Sequence, residues 1–389
     1  MGIAAKPFEV AITDALLADM RARIRNARWS EDFGNADWRY GVEGSWLRAM
    51  VDYWADGFDW RAQEAAMNAV PNFVATINGV TVHFLHIAGT GNNPIPLLLT
   101  HGWPWTFWDY RAVIGPLTDP AAHGAPGAQS FSLIIPSLPG FGFSSPLRRA
   151  VTVADIVHLW TKLMTQVLGY GRFMAGGGDF GAFVTSHLAH AYPDLVRGAY
   201  IMFPNVPGIV PGSSLPADFA PEEQWMVEEN KLASGKLASH MTVHQHDPQT
   251  LAYALADSPI GCAAWLWERR RAWSDCGGDV LSAFTRDELC TLASIYWLTN
   301  TIGTSMRLYW DQNDQGFASI IDPTRQPVIA VPTGYAVFPK ENIHMPRRVI
   351  EEHVNLRHYS VMPRGGHFGV AEQPQLVVDD LRAFAQCCE

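Results

Sequence analysis

The densest chemistry in the chain lies in Gly176-Gly177-Gly178-Asp179-Phe180-Gly181. A strand-like run, Arg172 to Ala175, leads in, and a helix-like run, Ala182 to His190, leads out. Glycine–x–nucleophile–x–glycine between a strand and a helix is the pattern of a nucleophile elbow. The glycines allow a sharp, strained turn that lifts the central side chain into a pocket. That side chain is usually a serine hydroxyl; here it is a carboxylate. A carboxylate is ionised at neutral pH and needs no base to act as a nucleophile. It suits attack on an electrophilic saturated carbon, such as that of an epoxide or an alkyl halide. Alone, the hexapeptide is equally consistent with a plain Asp–Gly turn. Its partners must decide.

Two partners fall in the right order. His367 follows the strand-like Tyr359–Met362 and sits beside Gly365 and Gly366; Glu341 precedes it by 26 residues and also follows a strand. Nucleophile, acid, base is the chain order of α/β-hydrolases. Any one histidine is more often a surface or core residue, but the ordered triple behind an elbow is hard to obtain by chance. Asp179 needs no deprotonation, so His367 would activate a water that attacks the ester formed on Asp179. Glu341 would fix the tautomer and stabilise the imidazolium. The oxyanion so created needs backbone N–H donors. Phe180, after the nucleophile, supplies one, and Trp103 in His101-Gly102-Trp103-Pro104 is the natural second.

The elements that must hold these residues are legible. Residues 1–72 read as helical, with a start signal at Thr13-Asp14 and a second helix capped by Ser45. Phe73–Ile77 and Val80–Ile87 flank Asn78-Gly79, a type I′ hairpin signal. Strands then alternate with helices: Leu97–Thr100, Phe131–Ile135, a helix over Val153–Leu168, the elbow, and Tyr200–Met202. This rhythm predicts a parallel sheet with helices on both faces. It breaks between about Asn205 and Trp310, a helical stretch too long for a loop, and resumes at Pro327–Val331. The expected organisation is a helix-plus-hairpin N-terminal region (1–90), an α/β core in two parts (91–204 and 311–389), and an inserted helical lid (205–310).

Of 389 residues, 48% are hydrophobic and 17% charged, the composition of a packed globule. A net charge of −10 without a basic cluster excludes nucleic acid as an expected partner. The first ten residues lack a signal-peptide core, and no run approaches the ~20 apolar residues of a membrane span. Five cysteines without C-x-x-C spacing fit a reduced, cytoplasmic protein.

Taken together the motifs resemble the epoxide hydrolases of the microsomal and juvenile-hormone type, over nearly the whole chain. Arg25-Asn26-Ala27-Arg28-Trp29 and Val51-Asp52-Tyr53-Trp54 match that family's N-terminal region. His101 to Pro104 and Gly177 to Gly181 match its oxyanion and nucleophile motifs. Pro248 to Leu255 with Asp257 to Gly261 matches its lid, Val331 to Glu341 its acid segment, and Gly365-Gly366-His367-Phe368 with Glu372-Gln373-Pro374 its histidine segment. The resemblance implies an α/β-hydrolase fold that opens an epoxide with water to a vicinal diol, without cofactor or metal. It also implies two lid tyrosines that donate to the departing oxygen. Tyr309 matches the second; the first falls on His240, in His240-Met241-Thr242-Val243-His244-Gln245-His246. His240 donating instead, another phenol such as Tyr253 or Tyr296 moving in, and an altered chemistry all remain open. A metal site on His240, His244 and His246 is the weaker reading, because no carboxylate or cysteine completes it. Trp105, Phe107, Trp108, Trp265 and Trp267 suggest a large aromatic or apolar substrate. The rivals are a haloalkane-type dehalogenase and a non-catalytic ligand carrier on the same fold; a homodimer is left open.

Overall fold

The computed structural model describes residues 3–91, 93–233, 238–315, 320–322 and 324–388. The N-terminal segment forms strand β1 (Lys6–Pro7) and helices α1 (Asp14–Arg25), α2 (Gly44–Asp56) and α3 (Trp60–Asn68). Thr13 caps α1 as expected, its side chain accepting the Leu16 N–H. The cap of α2 is Glu43, not Ser45: its carboxylate accepts the N–H groups of Ser45 and Trp46. Ser45 lies already inside the first turn, and an acidic side chain also suits the positive end of the helix dipole.

Strands β2 (Asn72–Ile77) and β3 (Val80–Ile87) form the expected hairpin, with Asn78 at φ 51° and Gly79 at φ 77°, the left-handed pair a type I′ turn requires. They do not stand apart from the core. The chain continues through β4 (Ile95–Thr100), α4 (Arg111–Thr118), β5 (Phe131–Pro136), α5 (Val153–Lys162), β6 (Phe173–Gly177), α6 (Phe180–Ala191) and β7 (Val196–Ile201). After the lid come β8 (Ile329–Val337), α13 (Arg347–His353), β9 (Val354–Val361), α14 (Gly369–Glu372) and α15 (Pro374–Gln386). One nine-stranded sheet results, in the order β1-β2-β3-β5-β4-β6-β7-β8-β9.

The expected parallel sheet forms the larger part, with an antiparallel edge added to it. From β5 to β9 the pairings are parallel, but β1, β2, β3 and β5 pair antiparallel. The N-terminal hairpin adds directly to the edge of the sheet, and β1, in a stretch expected to be helical, adds to the hairpin.

The insertion expected to form a lid, called the lid below, holds α7 (Gln224–Ala233), α8 (Ser239–His246), α9 (Pro248–Asp257), α10 (Pro259–Trp273), α11 (Arg286–Leu298) and α12 (Ile302–Gln315). Helix α12 runs on past residue 310, where the insertion was expected to end; residues 234–237 of the insertion lie outside the described residues. The N-terminal helices pack on the lid. Trp267 of α10 sits edge-on to Trp46 and Trp54 of α2 at 5.9 and 5.8 Å. Trp54 Nε1 donates to Ser294 Oγ, Tyr53 Oη to Asp287, and Arg23 pairs with Asp257 at 2.6 Å. Among the described residues no helix is long and apolar enough to cross a membrane.

Candidate active site

Asp179 sits between β6 and α6 with φ 50° and ψ −128°, a conformation that L-residues adopt only when their surroundings impose it. Two glycines make this turn possible. A Cβ on Gly181 would lie 1.9 Å from the Thr100 carbonyl oxygen, so only glycine lets α6 start this close to β4. A Cβ on Gly102 would lie 2.3 Å from the Asp179 carboxylate. His367 follows β9 and Glu341 follows β8; their loops are joined where the Lys340 N–H donates to the Gly365 carbonyl. His367 Nδ1 is 2.7 Å from Glu341 Oε1, and its Nε2 is 3.5 Å from Asp179 Oδ2. His367 and Glu341 are buried, whereas the Asp179 side chain keeps 16% of its surface exposed. Burial pushes the His367 pKa down. The Glu341 charge and hydrogen bonds to Asp179 and Glu341 outweigh it and hold the imidazole at about 10.

The other carboxylate oxygen has a different partner. Trp103 N–H donates to Asp179 Oδ1 at 2.8 Å. The turn that presents this N–H begins at His101, a buried ring whose Nδ1 donates to the Gly102 carbonyl and whose Nε2 accepts the Leu138 N–H. The Trp103–Pro104 bond is cis. Phe180 opens α6 beside the carboxylate, and its ring lies 4.7 Å from that of Tyr309.

Above Asp179 the lid presents an aromatic wall. Tyr309 of α12 is buried among Trp103, Phe180, His240 and His244. Burial, then the Asp179 charge, push its pKa well above the ordinary phenol value, so it keeps its O–H. His240 and His244, one helical turn apart on α8, share a face. His240 lies flat on the Trp103 indole (5.3 Å, 7°), and His244 stands edge-on to Trp103 and Tyr309 at 4.6 and 4.9 Å. Trp265 Nε1 donates to His244 Nε2 at 3.1 Å, leaving the proton of the neutral ring on Nδ1. Burial, with Arg269 nearby, pushes the His244 pKa down to about 3.

The chain has relatives among known proteins. The profile of the epoxide hydrolase N terminus matches residues 5–110, and that of the alpha/beta hydrolase fold residues 95–230. A Stigmatella aurantiaca (strain DW4/3-1) homologue assigned as an epoxide hydrolase is 38% identical over 97% of this chain and 83% of its own. Epoxide hydrolase 1 of Sus scrofa is 31% identical over 97% of this chain and 88% of its own. The chain belongs to the epoxide hydrolase family. The solved Aspergillus niger epoxide hydrolase superposes with a TM-score of 0.85 at 28% identity, covering 100% of this chain and 97% of that one. The juvenile hormone epoxide hydrolase of Bombyx mori superposes at 0.88 with 25% identity, covering 99% and 95%. The chain is thus an α/β-hydrolase-fold enzyme that hydrolyses epoxides.

Not every residue singled out in this epoxide hydrolase reaches the site. Phe107 packs on His83 and Phe143, and Trp108 lines a separate small cleft with Arg111 and Glu288. Trp267 faces the N-terminal helices and donates to the Leu289 carbonyl. Helical periodicity explains the last case. Trp265 and Trp267 are about 200° apart around α10, so only one can face the site. Trp265 does, and so does Trp273, two turns further along the same face. Trp273 was missed: its ring lies 4.7 Å from His240 and 5.1 Å from His367, and its carbonyl accepts the His367 N–H. Trp105 stands edge-on to His367 at 5.7 Å. Tyr253 is 72% exposed, and the Tyr296 hydroxyl is committed to the Trp105 carbonyl, so neither takes the place of the missing phenol. His246 is exposed, away from its two neighbours, and among the described residues no group of three or more metal-ligating side chains assembles. Glu372, named above only as part of the histidine segment, shapes the loop itself: its carboxylate accepts the N–H groups of Gly366 and Phe368 on either side of His367.

Proposed function

We propose that epoxide opening runs through a covalent ester on Asp179, with its two carboxylate oxygens in different roles. Their separate partners carry this reading: Oδ1 on the Trp103 N–H, Oδ2 facing His367. Oδ2 attacks an epoxide carbon, the carbon–oxygen bond breaks, and the departing oxygen takes a proton from Tyr309. His240, at the position of the family's first lid tyrosine, gives the second hydrogen bond. Water then attacks Cγ of the ester while His367 accepts its proton. Negative charge collects on Oδ1, which the Trp103 N–H already contacts, and the Phe180 N–H, next in the chain after the nucleophile, is the second donor we assign to it. Collapse breaks the Cγ–Oδ2 bond and the diol leaves with a proton from the imidazolium; the proton left on the Asp179 carboxyl passes through solvent to the Tyr309 phenolate, which regenerates both groups. Glu341 keeps the His367 tautomer correct throughout.

The substrate we propose is a large aromatic or apolar epoxide. The rings of Trp103, Trp265, Trp273, Phe180 and Tyr309 around the carboxylate support it, since such walls bind flat apolar groups and offer few polar contacts. His367→Ala tests the mechanism. Incubated with a panel of aryl epoxides and measured by intact mass, it accumulates one adduct, on the peptide that contains Asp179. An unmodified His367→Ala protein, with a wild type that turns over the same epoxides, would refute the covalent route.

A further inference from the structure

The oxyanion turn is held from above by the lid. Arg270 of α10 is 2% exposed, and its Nη2 donates to the Pro104 carbonyl at 3.0 Å and to Asp109 Oδ1 at 2.7 Å. The second Asp109 oxygen accepts the Thr106 N–H at 2.7 Å. Tyr296 of α11 donates to the Trp105 carbonyl at 2.8 Å. The consecutive carbonyls of Pro104 and Trp105 are thus tied to two lid helices, and the Thr106 amide that follows is tied to the same ion pair. The Arg270 guanidinium also lies 4.1 Å above the Phe368 ring, next to His367, and α10 ends at Trp273, whose carbonyl takes the His367 N–H.

A buried ion pair is an expensive way to gain stability, because desolvation cancels most of the attraction. Its geometry here points to another use. We infer that Arg270 and Tyr296 are positioning residues that aim the Trp103 N–H at Asp179 Oδ1, so that the lid sets the oxyanion hole of the core. The inference rests on the covalent-ester reading of the site.

The two chemical steps feel that N–H with opposite sign. During alkylation, Asp179 gives up negative charge, and a hydrogen bond to Oδ1 weakens. During ester hydrolysis, charge develops on Oδ1, and the same bond strengthens. Misaiming the Trp103 N–H therefore slows hydrolysis while leaving alkylation nearly intact. When hydrolysis becomes limiting, kcat and KM fall together and kcat/KM is preserved. General loss of packing lowers kcat/KM instead.

Arg270→Met and Tyr296→Phe are compared with the full-length wild type on one turned-over aryl epoxide. Steady-state kinetics and intact mass of the enzyme during turnover are recorded. We expect kcat to fall by about ten- to hundredfold in Arg270→Met, KM to fall in proportion, and the ester to become the main enzyme species. Tyr296→Phe, which removes one oxygen and keeps the ring, shows the same pattern more weakly and decides the matter if Arg270→Met does not fold. An equal loss of kcat/KM and kcat, without ester accumulation, overturns the clamp. Absence of any ester in His367→Ala overturns the underlying route and the clamp with it.

Discussion

On the proposed route, His367 is charged and idle while Asp179 attacks, then neutral and basic once the ester exists. Asp179→Asn mimics the uncharged ester and isolates this change. Nε2 and Oδ2 are 3.5 Å apart. At an effective dielectric constant of about 20, opposite unit charges at that distance attract by about 5 kcal/mol. One pKa unit corresponds to about 1.4 kcal/mol, so losing the Asp179 charge lowers the His367 pKa by up to about three units. From a starting value near 10, the imidazole arrives near neutrality. On the proposed route the ester thus switches on its own base. Histidine-selective NMR titration of wild type and Asp179→Asn measures the drop directly. Single-turnover kinetics give the functional counterpart: alkylation flat between about pH 6 and 9, hydrolysis rising with a midpoint near 7. A His367 pKa that stays within half a unit in Asp179→Asn, or an alkylation rate that rises along the same pH limb, would refute the reasoning.

Other consequences can be checked alongside. Tyr309→Phe slows alkylation by about a hundredfold or more and leaves hydrolysis of a preformed ester unchanged, as stopped-flow tryptophan fluorescence over one turnover will show. A single turnover in ¹⁸O-water puts the label in Asp179 and not in the diol, because water attacks Cγ; label in the diol would exclude the ester. Gly181→Ala, whose Cβ would meet the Thr100 carbonyl, costs more than about 3 kcal/mol and lowers Tm sharply. Trp267→Phe costs about 1–2 kcal/mol for the stranded Leu289 carbonyl, yet leaves the ranking of epoxides by kcat/KM unchanged. His367 has a folded pKa above its unfolded value of about 6.5. Its contribution to stability is complete below that pH and is lost as pH rises through about 10, so His367→Gln flattens the alkaline fall of Tm.

What sequence disclosed here was chemistry tied to local backbone. The elbow, the Asn78-Gly79 hairpin, the Trp103 turn and the order Asp179, Glu341, His367 each depend on residues a few positions apart, or on one loop following one strand. What it hid was direction. Trp265 and Trp267 look alike in a row of letters, but half a turn of helix sends one to the carboxylate and the other to the N-terminal helices. Trp273 and Arg270 act through contacts with loops about 95 and 165 residues away, and no local pattern encodes those. The edge of the sheet was misread for a related reason: Lys6-Pro7 is too short for any periodicity, and pairing with β2 alone makes it a strand.

The contact between the N-terminal helices and the lid has a bearing on how substrates get in. Trp46, Trp54 and Tyr53 hold the outer face of α10 and α11, while Arg270 and Trp273 hold the inner end of α10 to the core. A helix fixed on both faces is not a hinged door. Entry to Asp179 is then expected to depend more on small movements around α10 than on a swing of the helix itself. Removing that outer support more fully than Trp267→Phe does, by Trp46→Ala, is expected to widen the range of accepted epoxides, which kcat/KM over a series of increasing girth will measure.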